Sequence, residues 1–239
     1  ALVQLGRFNE ARGDLQALLA DKRLGAAAAL ELAMCEMRGV GGEKAALALI
    51  EPVIETGGAE PAARLRALHL RALVAMRRVD MQAAVKDLLE ASDGFEKLGL
   101  VAGTSQVSDS LGTVYATLGQ VDQALGAYAR SLADKTVLGD LFGVAITLGN
   151  LGRLNFQSGR YGDARHYFNT DIRLARQIGD VRGEAKLLND LGRVLAAEGK
   201  TEEALGELDK GLAMANANGL SGIAFFCLKD RADPLAGSG

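Results

Sequence analysis

The sequence predicts an all-α protein, an array of antiparallel helix pairs stacked one after another. Three observations carry that expectation. Residues 111–150, 151–190 and 191–230 align without a gap at a period of 40. Glycines recur at fixed steps inside that period, where the left-handed backbone that ends a helix favours them. No stretch alternates apolar and polar residues as a half-buried strand would.

The elements follow in chain order. Leu5-Gly6-Arg7-Phe8-Asn9-Glu10-Ala11 has the pattern of a turn and the start of a second helix, so the array opens on a partial unit. The next unit, near 31–70, contains GVGGEKAALALIEPV, where either Ala45 or Ala46 can take the small-residue position. In the unit 71–110, Ala84, Leu88, Gly99 and Gly103 fall 40 residues before Ala124, Tyr128, Gly139 and Gly143.

The three units from 111 to 230 share Leu111/Leu151/Leu191, Gly112/Gly152/Gly192, Gly119/Gly159/Gly199, Ala124/Ala164/Ala204, Gly139/Gly179/Gly219 and Leu148/Leu188/Leu228. The Gly119 column marks the turn between the two helices of a unit, and the Gly139 column marks the exit. Asp140 and Asp180 follow that exit, where a carboxylate caps the next helix. The Ala124 column lies one turn into the second helix, and a small side chain there lets paired helices approach closely. The count is five repeats plus a partial one, a single array over 1–230 with 231–239 as a tail.

Composition excludes several classes. With 49% hydrophobic and 24% charged residues, the chain of 239 residues is neither collagenous nor disordered. Its core is built from Leu, Ala and Val, since there is no Trp and only 4 Tyr and 7 Phe. A net charge of −3 lacks the basic signature of a general nucleic-acid binder. Cys35 and Cys227 match no disulfide framework or metal spacing and read as small core residues in a reducing cytoplasm. The uncharged run Gly211 to Leu228 contains Asn216, Asn218, Gly219 and Ser221, which suits a helix–turn–helix and not a membrane span. No signal peptide or lipidation motif opens the chain, and the start ALVQLGRFNEA, without a Met, reads as part of a longer protein.

Leu111, Gly112, Tyr115, Gly119, Ala124 and Tyr128 give a pattern that resembles the tetratricopeptide repeat. The next unit keeps it as Leu151, Gly152, Gly159, Tyr161, Ala164 and Phe168, and the last as Leu191, Gly192, Gly199, Ala204 and Leu208. The usual period of about 34 is lengthened here, and a Gly-Asp exit such as Gln177-Ile178-Gly179-Asp180 stands where the family closes with Pro. That long form is similar to repeats of G-protein-signalling modulators, kinesin light chains and sensor domains of large bacterial transcriptional regulators of the maltose-regulator type. Asn155 and Leu195 replace the aromatic at the Tyr115 position, which implies less aromatic packing.

The resemblance implies a right-handed superhelical solenoid whose first helices line a concave groove. Groove positions at fixed steps from the Leu-Gly pair are Gln106, Asp109, Ser110 and Thr113; then Asn150, Arg153 and Gln157; then Lys186, Asn189, Asp190 and Arg193. Arg153 and Arg193 lie one period apart, on neighbouring helices about 8–10 Å apart, a spacing at which two guanidinium forks can clamp a carboxylate, a phosphate or a peptide backbone. In long-repeat family members Asn and Arg at such steps hold an extended peptide. The same ladder also fits a wet polar surface with Asp190 paired to Arg193 at i,i+3. Further forward, Arg66, His69, Leu73, Met76 and Arg77 occupy comparable steps, with His69 read as a structural or solvent-exposed residue and not a ligand, and Phe156 fits either a groove anchor or the core.

Other signals are weaker. Arg38-Gly39-Val40-Gly41-Gly42-Glu43-Lys44 lacks the spacing of a phosphate-binding loop and reads as a turn. The basic, aromatic stretch from Arg160 to Phe168, continued by Arg173, Arg176 and Arg182, is diluted by Asp163, Asp171, Asp180 and Glu184 and reads as a solvated convex face. No constellation of nucleophile, base and orienter can be named. The expected function is a non-catalytic protein- or peptide-binding module, without cofactor or metal, as the sensor or scaffold part of a larger cytoplasmic bacterial protein. The groove would take a protein or peptide segment, with no nucleic acid or membrane partner and homo-oligomerisation left open. The alternative is an effector domain that binds a small molecule or short peptide and changes assembly state.

Overall fold

The computed structural model describes residues 8–21, 24–38, 41–55 and 60–232. They form α1 Phe8–Leu18, α2 Gly25–Glu36, α3 Glu43–Glu55, α4 Pro61–Arg77, α5 Met81–Lys97, α6 Val101–Thr117, α7 Val121–Leu138, α8 Leu141–Gln157, α9 Tyr161–Ile178, α10 Val181–Ala197, α11 Thr201–Ala217 and α12 Ser221–Ala232. No strand occurs among the described residues. The chain is all-α, each helix packing on the next within two compact units, 1–120 and 121–239. Part of the opening turn and of the Arg38–Lys44 segment, and the last seven residues, lie outside the described residues.

One device ends helix after helix. Gly99, Gly119, Gly139, Gly159, Gly179, Gly199 and Gly219 have φ between 65° and 80°. The amide just after each reaches back five residues, as from Asp180 to the Ala175 carbonyl at 2.9 Å and from Lys200 to Leu195 at 2.9 Å. This is the Schellman closure, which uses carbonyls the helix leaves unpaired. At 79 the same place in the frame holds Val79 with φ 62°, a β-branched residue in a conformation that disfavours it. Asp140 and Asp180 then accept from the amides of Gly143 and Gly183 at 2.9 and 2.8 Å, the caps expected from sequence.

In the first unit, α2 packs on α3 and α4 on α5, while α3 joins α4 and α5 joins α6. Leu30, Ala33, Ala46, Ile50, Val53, Ala67, Leu70 and Val74 form one cluster. Ala46 is fully buried and Ala45 exposed, so Ala46 takes the small-residue place. Arg71 of α4 stands where later units have Leu111, Leu151 and Leu191. Its guanidinium donates to both oxygens of buried Asp87 on α5, at 2.7 and 2.9 Å, and to Glu51 on α3 at 3.0 Å.

In the second unit, α8 packs on α9 and α10 on α11, and α9 also joins α10. Phe168, Ile172, Leu187, Leu188, Leu191, Val194, Leu195 and Ala204 lead its core. The Leu-Gly pair has a steric cause: a Cβ at Gly152 would stand 2.5 Å from the Phe168 ring, and one at Gly192 would stand 2.7 Å from Leu208. Glycine is therefore what lets the second helix press a large side chain against the first. Ala164 and Ala204, both fully buried, close the same contact from the other side.

Candidate functional site

The second unit curves by its own packing. First helices approach each other, α8 with α10 and α10 with α12, whereas α9 and α11 share no such contact among the described residues. The face of α8, α10 and α12 is therefore the inner, concave one of this unit. In the first unit α2, α4 and α6 stand in the same relation, and α3 and α5 stay apart.

On the concave face of the second unit the predicted residues come together. Arg153 donates to the Asn150 side-chain oxygen one turn earlier on α8. Arg193 lies 3.8 Å from Asp190, the expected i,i+3 pair, and 3.8 Å from Asp230 on α12. Its guanidinium also sits 5.1 Å over the Phe156 ring of α8, a cation–π arrangement. Phe156 in turn meets Tyr161 at 5.8 Å on the edge of the core, so it serves the core and the face together. Gln157 and Lys186 are exposed. Asn189 is buried and donates to Asp230 at 2.9 Å, and Asp190 is also buried, so these two line the wall behind the face and are not part of a wet surface.

Two contributors, Asp230 and Asp171, were missed from sequence. Asp171 belongs to α9, the outer layer, yet its carboxylate reaches α8, where a Cβ at Gly149 would lie 3.4 Å from both Asp171 Oδ2 and Arg153 Nη1. The absent side chain at 149 is the space these groups use. Burial pushes the Asp171 carboxyl up to about 7; Arg153 and Lys186 pull it down, and Asp180 and Asp190 add to the rise. Asp190 is likewise raised by burial, against Lys186, Arg153 and Arg193. Asp171 Oδ1, Asn189 Oδ1 and Asp190 Oδ2 are buried without a hydrogen-bond partner. A signal for Asp171 existed: its column holds Ala91, Ser131 and Gly211 one or two periods away, and only there is it charged.

The predicted residues of the first unit do less. Ser110 is buried and donates to the Gln106 carbonyl at 3.2 Å, and Thr113 donates to the Asp109 carbonyl at 3.0 Å, each within α6. Nε2 of His69 on α4 and Ser110 Oγ share a hydrogen bond of 2.9 Å, its direction set by the ring tautomer. Burial lowers the His69 imidazole to about 4, so it is neutral near pH 7. Of the two readings offered by sequence, structural or solvent-exposed, the packing of His69 fits the first. Gln106 is exposed and Asp109 half-buried. Cys227 is buried, its thiol pushed up to about 11 by burial, and Cys35 is half-buried.

No group of three His, Cys, Asp or Glu able to hold a metal occurs among the described residues, and none of their helices is long and apolar enough to cross a membrane. Two family models, both described as tetratricopeptide repeat, match residues 140–217 and 1–51. The chain belongs to the tetratricopeptide repeat family. No curated protein matches this tetratricopeptide protein in sequence. Solved structures share its fold. BtubC from P. vanneervenii is 18% identical with a TM-score of 0.77, over 90% of this chain and 91% of that one. A Pyrococcus horikoshii signal transduction ATPase with numerous domains, carrying a tetratricopeptide repeat sensor, is 15% identical with a TM-score of 0.77, over 94% of this chain and 33% of that one. The Rap conjugation gene regulator of plasmid pLS20, solved with a Phr peptide, is 18% identical with a TM-score of 0.60, over 83% and 57%. The chain thus spans a third of the ATPase and about half of the Rap regulator. The tetratricopeptide fold is in general a non-catalytic binding scaffold.

Proposed function

We propose that the chain binds an extended peptide segment of a partner on the concave face of its second unit, as the sensor or scaffold part of a larger cytoplasmic bacterial protein. The observation that carries this reading is Arg193. Its guanidinium is held over Phe156 and lies 3.8 Å from two carboxylates, beyond hydrogen-bond reach, so its donors are positioned without being consumed. Arg153, one period earlier, is positioned by Asn150. Two such forks bind peptide carbonyls or a carboxylate, while Asn150, Gln157 and Lys186 add polar contacts. Phe142 and Ile146, exposed one turn apart on α8, offer apolar contacts beside them, Ile146 in the column of Lys186. Asn189 and Asp190 back the wall, and Gln106, Asp109, Ser110 and Thr113 are the corresponding positions of the first unit. The Phr-bound Rap regulator and the ATPase with its repeat sensor support the reading by fold.

The test uses peptides selected on the intact chain from a random library. Arg153→Ala with Arg193→Ala weakens them by at least about tenfold, with the fold retained by circular dichroism. Unchanged affinity removes this site, and a library that yields no binder removes the peptide reading.

A further inference from the structure

On the opposite side of the second unit, α9 and α11 run alongside each other without touching, and a cleft of about 660 Å³ opens between them. Its floor is Ile172, Leu188 and Leu191, all buried core residues. Its α9 wall carries Arg165, His166, Asn169, Arg173 and Arg176, one stripe at helical spacing, and its α11 wall carries Glu207 and Lys210. The stretch read from sequence as a solvated convex face is therefore one wall of a formed cleft.

The balance of charge within it is uneven. Lys210 pairs with Glu207 at 2.7 Å, and Arg165 lies 3.4 Å from Glu198. Arg176 uses Nε on Glu184 at 2.6 Å, which leaves its terminal nitrogens as donors. Arg173 is exposed and donates to Thr170 Oγ1 on its own helix at 3.2 Å, with no carboxylate partner among the described residues. The first unit shows that this imbalance is not imposed by the fold. Its cleft between α3 and α5, about 460 Å³, is lined by Arg71, Arg78 and Lys86 against Glu51, Asp80 and Asp87, and Glu51 and Asp87 bind Arg71 directly. In the second unit Leu191 replaces Arg71, and Arg165, Arg173, Arg176 and Lys210 line the cleft against Glu207.

We infer that the α9–α11 cleft is a second binding site, separate from the concave face, for an acidic segment of a partner polypeptide. From Arg165 to Arg176 the cations extend about 16 Å along the helix. That length matches about five residues of extended chain and exceeds any single phosphate or carboxylate. Glu207 in the wall and Glu184 and Glu198 beside it bound this cationic run, so it fits a short acidic segment better than a long, uniformly charged nucleic-acid backbone. Closely spaced Asp or Glu side chains meet the guanidinium forks one by one.

Fluorescence anisotropy with a labelled hexaglutamate peptide at about 50 mM salt tests this. Saturable binding is expected, weakening as salt rises. Arg173→Glu, at an exposed position, reduces affinity by about tenfold and Arg173→Ala by less, while Lys97→Ala, which removes an exposed cation of the first unit, leaves it unchanged. The concave-face reading has its own readout in the library-selected peptides, so either reading can fail without the other. Absence of saturable hexaglutamate binding overturns the inference, as does equal binding by both Arg173 variants. Tighter binding of an oligouridylate overturns it in favour of nucleic acid.

Discussion

The clefts between α3 and α5 and between α9 and α11 occupy the same place in their own units and differ in their balance of charge. In the first, Arg71 replaces a repeat leucine and is consumed by Asp87 and Glu51. In the second, Leu191 restores the apolar floor and the wall keeps cations in excess. Each unit also has a titratable group whose charged form burial disfavours, His69 in the first and Asp171 in the second. A repeat thus dictates where a cleft and a groove form, while single departures from a column decide what they hold. The first unit spends its polar groups on internal staples. The second keeps some positioned and unspent.

The largest break in this comparison comes at Arg71. Arg71→Ala leaves Asp87 buried without its partner and costs about 3–5 kcal/mol in urea unfolding, whereas Arg71→Leu with Asp87→Leu recovers most of that loss. A single substitution that costs under about 1 kcal/mol would show the staple to be dispensable.

Next come the opposed pH dependences. Asp171 has a raised folded value of about 7, so the folded state holds a proton that the unfolded chain releases, and its contribution is lost as pH rises from about 4 through 7. Asp171→Ser, the residue of its own column at 131, is therefore roughly 2–3 kcal/mol more stabilising at pH 8 than at pH 5. His69 has a lowered folded value of about 4, so the unfolded chain takes up the proton first and stability falls as pH drops from about 6.5 towards 4. His69→Gln removes about 2 kcal/mol of that fall between pH 7 and 5. Melting curves across pH check both slopes; parallel curves for wild type and variants would refute the burial argument.

The smallest effect is at the turn. Val79→Gly brings the first unit to the rule followed by Gly99 and Gly179 and raises stability by about 1 kcal/mol, while Gly179→Val lowers it by about 1–2 kcal/mol. Thermal melts of the pair should move in opposite directions.

Much of this was legible before any coordinates. The 40-residue columns placed the helices, the Gly139 and Gly179 exits, the Asp140 and Asp180 caps and the Ala124 column, because each depends on local backbone geometry that its residue type serves. Position 79 resisted because Val79 breaks the glycine rule, and the choice between Ala45 and Ala46 needed burial to decide it. On the concave face, the pairing of Arg193 with Asp190 was readable as helical spacing, whereas that of Arg153 with Asn150 came only with the structure. Asp230, Asp171 and the stacking of Arg193 on Phe156 were not readable, since each joins residues on different helices through side-chain reach. The Arg160–Arg182 stretch was visible as charge, but whether its cations were already neutralised depended on which carboxylates the packing brought near them.

The sequence by itself determined the helix pairs, their ends and the face each helix buries, since hydrophobic period and glycine position act within one helix or one turn. Only the tertiary structure decided which charges are spent and which stay available. Coulomb energy and desolvation depend on distances between groups many residues apart, and those exist only once the helices have packed.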